Sequence, residues 1–138
     1  ISACLVGSEM CIRDSYNRQM KDIVVDNIIR SQVVEDYLDF FENKDLDGIT
    51  DLLAESCSLT DWNIGLVEGK QNVLETFSNI FDSFEKIEAN ISHLHEDVTG
   101  ILTCEMTLTL DDQELLVADI FEFDDDDRIQ ALRAYKGN

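Results

Sequence analysis

Residues 101–110 read ILTCEMTLTL and residues 114–123 read ELLVADIFEF, with the polar DDQ between them at 111–113. In the first run Leu102, Cys104, Met106, Leu108 and Leu110 alternate with Thr103, Glu105, Thr107 and Thr109. Strand side chains point to opposite faces in turn, so this alternation predicts a strand with one apolar and one Thr-rich face. The second run is apolar on both faces, as expected of a strand central in its sheet. Working outward, KIEANISHLHE (86–96) predicts a strand with Ile87, Ala89, Ile91, His93 and His95 on one face. DDDD (124–127) reads as a turn and RIQALRAYKG (128–137) as the last strand.

Upstream the period changes. From Asp26 to Asn43, Ile29, Val33, Tyr37 and Phe41 recur every fourth residue, with Val34 and Leu38 alongside. That stripe predicts an amphipathic helix with Tyr37 on its buried face. NKDLDG breaks it, and Leu46, Ile49, Leu52 and Leu53 mark a second, short helix. CSLTDW (57–62) predicts a strand, NIGLVEGK (63–70) a turn-rich link, and Val73, Phe77, Ile80 and Phe84 a third helix from Lys70 to Phe84. The order α-α-β-α-β-β-β-β, with helices segregated from a curved antiparallel (mixed) sheet, is an α+β fold in one domain over residues 20–138.

Residues 1–19 carry no such pattern. Back-translation of Met10 to Ser15 can reproduce the end of a common transposon-based sequencing adapter, so residues 1–15 are expected to be a read-assembly scar and 1–19 a non-native or disordered leader. The net charge of −20 disfavours nucleic acid and anionic membrane surfaces, and a cytoplasmic protein is expected. Four cysteines, two of them (Cys4 and Cys11) in the leader, do not make a disulfide framework.

Three residues carry chemical interest. Asp119 shares a strand face with Leu115, Val117, Phe121 and Phe123, where burial disfavours the anion and raises the pKa; the alternative is a paired acid or one at a wet edge. Tyr37 is either a core tyrosine or a cavity donor, and Asp61 either a turn residue or a cavity carboxylate. His93 and His95 sit two residues apart on a strand, about 7 Å by strand rise, without an evident third ligand, so no metal and no cofactor is expected.

The runs EDYLDFFENKDLDGITDLLAESCSLTDW, VEGKQNVLETF and VADIFEFDDDDRIQALRAY resemble the nuclear transport factor 2-like superfamily, with its SnoaL-like cyclases and ketosteroid isomerases. The resemblance implies a cone-shaped sheet wrapped around the helices. On the ketosteroid isomerase pattern Asp61 falls on the catalytic base, and Tyr37 and Asp119 on the oxyanion donors. In that enzyme type the acid at the Asp119 position is kept neutral by an apolar site so that it can donate a hydrogen bond. Trp62 stands where those isomerases have proline. The resemblance further implies a cavity for a small apolar or carbonyl-bearing molecule, lined by Trp62, Phe77, Phe81, Val117, Phe121 and Tyr135. It also implies a homodimer through the outward sheet face. A non-catalytic binding module and a dimeric protein-interaction domain are the alternatives on the same scaffold.

Overall fold

The computed structural model describes residues 18–138, with side chains from Ile28 onward; the expected scar at 1–15 lies outside the described residues. Helix α1 spans Arg18–Glu42, α2 Leu46–Leu52 and α3 Lys70–Ser83. The strands are β1 (Leu53–Asp61), β2 (Gly65–Glu68), β3 (Ile87–Glu96), β4 (Leu102–Leu110), β5 (Gln113–Phe123) and β6 (Ile129–Lys136). They form one curled, unclosed sheet in the order β2-β1-β6-β5-β4-β3. All pairings are antiparallel except β1 with β6, which is parallel. The α+β architecture is the one expected, and β5 is interior to the sheet.

The inner sheet face and the helices share one core. The apolar series of β4 is buried throughout, as are Leu115, Val117 and Phe121 of β5. Against them α1 brings Val34, Tyr37, Leu38 and Phe41, and α3 brings Val73, Phe77 and Phe81. Phe41 meets Phe81 at 5.5 Å and Phe77 at 6.1 Å between ring centroids, both edge-on. Each such ring contributes about 2–3 kcal/mol by leaving water. Helix α1 is also pinned by polar contacts. Arg30 Nε bonds Asp127 Oδ1 at 2.7 Å, its Nη1 donates to Gly100 O at 3.1 Å, and its guanidinium lies over the Phe123 ring. At the other end Glu42 Oε2 accepts the Ala89 N–H at 2.7 Å, holding α1 against the edge strand β3.

The chain departs from the sequence expectations at four places. Helix α1 starts at Arg18, not Asp26: Arg18, Gln19, Met20 and Lys21 are good helix formers and continue the helix toward its N-terminus. Strand β1 starts at Leu53, expected in the helix before it: Leu53 caps α2 in extended conformation (φ −93°, ψ 140°) and enters the sheet with no intervening loop. The link expected at 63–70 contains β2, which pairs with β1 from Ser58↔Glu68 to Asp61↔Gly65. Four residues are too few to show a period, and Gly65 at φ 88° supplies the turn that a side chain would resist. Finally, the β3–β4 register shifts between Ile91 and His93. This bulge flips the strand, so His93 and His95 face outward, not with Ile87 and Ala89 as expected.

Candidate functional site

A partly open cavity of about 50 Å³ lies between α1, α3 and the inner sheet face. On its walls are Tyr37, Asp61, Trp62, Phe77, Val117 and Asp119, together with Met106, Leu132 and Ala134. The less buried liners Asp61, Trp62, Ile80 and Ala134 form the mouth; Tyr37 and Asp119 lie at depth, 3 % and 6 % exposed.

The sheet register sets the two acids in one row. Asp61 of β1 pairs with Ala134 of β6, Ala134 pairs with Asp119 of β5, and Asp119 pairs with Cys104 of β4. Two strand spacings therefore separate the acids, about 10 Å between backbones. The residue between them is alanine, whose small side chain leaves the row open. Tyr37 faces this row from α1 and is held by three rings, Phe41 at 5.9 Å, Phe77 at 5.9 Å and Phe121 at 5.4 Å.

The polar groups differ in what they touch. Asp61 ends β1, and its Oδ1 accepts the N–H groups of Asn63 (2.7 Å) and Ile64 (3.1 Å), closing the turn into β2. Both bonds go to one oxygen, so Oδ2 is the oxygen this carboxylate can offer a ligand. Asp119 and the Tyr37 hydroxyl have no hydrogen-bond partner among the described residues. Buried polar groups are nearly always satisfied, so two unpartnered ones on a single cavity wall call for a ligand or water. Burial first, then the Asp61 charge, push the Asp119 carboxyl from 3.8 to about 7. Burial, followed by Asp119, Asp61 and Cys104, raises the Tyr37 hydroxyl well above 10, so it remains a donor. The Cys104 thiol beside Asp119 is pushed up to about 12 by burial and the same carboxylate, and is no nucleophile at neutral pH.

Three residues expected on the cavity wall lie elsewhere. Phe81 and Phe121 are one layer back, supporting Phe77 and Tyr37 through ring contacts. Tyr135 is on the opposite face: it pairs with Ala118 and lines an outer groove with Leu116 and His93, because alternation along β6 turns Leu132 and Ala134 inward. Sequence reading passed over Met106, Leu132 and Ala134. The alternation of β4 marked Met106 as core-facing, but nothing in the sequence separated cavity wall from filled core.

Residues 34–132 match the family model of the SnoaL-like domain. Solved structures share the fold at low identity. An epoxide hydrolase of the LEH-like type from M. tuberculosis is 20 % identical, with 80 % of this chain and 84 % of that chain covered and a TM-score of 0.67. A candidate ketosteroid isomerase from Kribbella flavida is 16 % identical over 80 % and 78 %, TM-score 0.67. A candidate dehydratase of the nuclear transport factor 2-like family from Streptomyces avermitilis is 17 % identical over 82 % and 97 %, TM-score 0.71. No curated protein sequence matches the chain.

Proposed function

This chain belongs to the SnoaL-like family, and on that premise we propose that it is an isomerase-type enzyme that moves a proton on carbon next to a carbonyl group. Asp61 takes the proton, while Tyr37 and protonated Asp119 donate to the oxygen on which enolate charge develops. One observation carries the reading: the Tyr37 hydroxyl and the Asp119 carboxyl are buried on one cavity wall, without a hydrogen-bond partner among the described residues, with a carboxylate in the same sheet row. Oxyanion donors gain most where water is excluded and the donors are already in place. A base for the carbon acid must be ionised, and Asp61 sits at the more open end of the row.

The cavity volume limits the substrate. About 50 Å³ accommodates a few waters or the carbonyl end of a molecule, not a fused ring system. The substrate is therefore compact, or its remainder lies at the mouth against Trp62 and Ile80. Similar folds bear the names of three different activities, so the residues and not the fold support this reading.

The test is to incubate purified protein with small β,γ-unsaturated ketones and follow the absorbance of the conjugated product. Exchange of the carbon-bound proton with D2O is read in parallel. Turnover that is lost in Asp61→Asn supports the proposal. Ligand binding with neither isomerisation nor exchange would overturn it in favour of a binding module. We further propose a homodimer through the outer sheet face, where Leu116 (56 % exposed) pairs with Thr107 and Tyr135 (49 %) pairs with Ala118. Light scattering at moderate salt should give twice the chain mass; monomer at high micromolar concentration would exclude it.

A further inference from the structure

The β3 bulge brings together a group that the sequence left incomplete. His93 lies directly across the β3–β4 ladder from Glu105, and His95 two pairs further along, across from Thr103. The two imidazoles stack at 5.7 Å between centroids, and the single Glu105 carboxylate reaches both. His93 Nδ1 is 3.5 Å from Glu105 Oε1, and His95 Nε2 is 3.3 Å from Oε2. One ligand atom from each of the three residues can be chosen so that all lie within 4.8 Å of one another. Among the described residues no other trio of His, Cys, Asp or Glu does so.

We propose that His93, His95 and Glu105 form a surface site for an imidazole-preferring divalent transition metal, with Zn2+ its first candidate. Zn–N and Zn–O distances of 2.0–2.2 Å imply ligand–ligand edges of about 3.3 Å in a tetrahedron. The two imidazole–carboxylate separations, one to each carboxylate oxygen, already lie close to that value, and side-chain rotation has to bring the ligand atoms, all within 4.8 Å of one another, to it. Two neutral imidazoles with one carboxylate select Zn, Ni or Cu over Mg and Ca, which prefer all-oxygen shells. Three protein ligands leave the fourth position to water or to an outside group at the outer groove lined by His93 and Glu105, a groove that in the proposed homodimer lies at the interface between the two copies. The bulge at Ser92 is what makes the trio. Without it both histidines would turn to the side of the strand that carries Ile87 and Ala89. A bound ion would also clamp β3, an edge strand, to β4 at the one place where their ladder is irregular.

The experiment is Zn2+ titration of the metal-stripped full chain by calorimetry in a large excess of Mg2+, with zinc content measured after gel filtration. Wild-type protein should hold one equivalent per chain. His95→Ala and Glu105→Gln, both at exposed positions, should fold with unchanged circular dichroism and bind zinc more than about tenfold more weakly. Because Cys4 and Cys11 also offer thiolates, a Cys4→Ser, Cys11→Ser variant is titrated alongside and should keep the equivalent. Undiminished zinc binding by His95→Ala would overturn the proposal. So would loss of the equivalent in the double serine variant, or displacement of zinc by Mg2+, which would mark the ion as one attracted by the acidic surface.

Discussion

Replacing Asp119 with asparagine separates the cost of burying a carboxylate from every other acid in this protein. The carboxyl ionises at 3.8 when exposed and at about 7 in the fold. Well below 3.8 both states are protonated and the group adds nothing to the pH dependence of stability. Between 3.8 and about 7 the unfolded chain releases its proton while the native chain keeps it, so native protein binds more protons and stability falls as pH rises. Above 7 both states are ionised and the loss is complete. At about 1.4 kcal/mol per pH unit the loss totals roughly 4 kcal/mol, an upper bound if water enters the cavity. Asparagine does not titrate. The stability of Asp119→Asn minus that of wild type should therefore climb by about 4 kcal/mol between pH 4 and pH 8 and then level off. Urea unfolding at a series of pH values and constant salt measures it, and carboxyl NMR gives the titration directly. A difference that stays flat across this range, or an Asp119 resonance that titrates near 4, would refute the reasoning and remove protonated Asp119 from the proposed mechanism. In the proposed reaction the same ionisation should depress kcat/KM of wild type above pH 7, a decline that Asp119→Asn should lack.

Three further outcomes are expected. Tyr37→Phe deletes a buried hydroxyl that has no hydrogen-bond partner among the described residues, so it should raise stability by about 1 kcal/mol in thermal melts and lower turnover about 100-fold or more; a fall in stability would mean that the hydroxyl supports the core. Asp61→Asn keeps the oxygen that accepts the Asn63 and Ile64 N–H groups and should lose turnover with its fold intact. Asp61→Ala should lose turnover and, in addition, about 1–2 kcal/mol of stability, measured by denaturant unfolding. Gly48→Ala would set a methyl 2.6 Å from the Phe40 ring, and the resulting shift should cost about 1–3 kcal/mol in the same assay, whereas a neutral result would show that Phe40 moves freely.

Local patterns made most of this fold legible. The alternation from Leu102 to Leu110 and the stripe from Ile29 to Phe41 each carry their period in adjacent residues, and both elements form where those periods lie. Asp119 stood out because one acid interrupted an apolar face. What could not be read was register. The row Asp61–Ala134–Asp119 depends on a parallel pairing of β1 with β6 and on a register shift between Glu122 and Phe123, and neither leaves a local trace. The same blindness placed Tyr135 in the cavity and hid Glu105 from the histidines. Ser92, a small polar residue within an apparently regular strand, gives no sign that it is the extra residue which changes faces.

The parallel pairing of β1 with β6 also orders events during synthesis. Leu59 and Leu132 are partners in the ladder but about 70 residues apart in sequence, among the costliest loop closures in the domain. While the chain leaves the ribosome, β1 and β2 can form only a two-strand hairpin, with the other edge of β1 open until β6 emerges. Such an edge invites pairing with other nascent chains. The growing chain carries its excess of acids through this interval, and their mutual repulsion keeps neighbours apart until the last strand fills the gap.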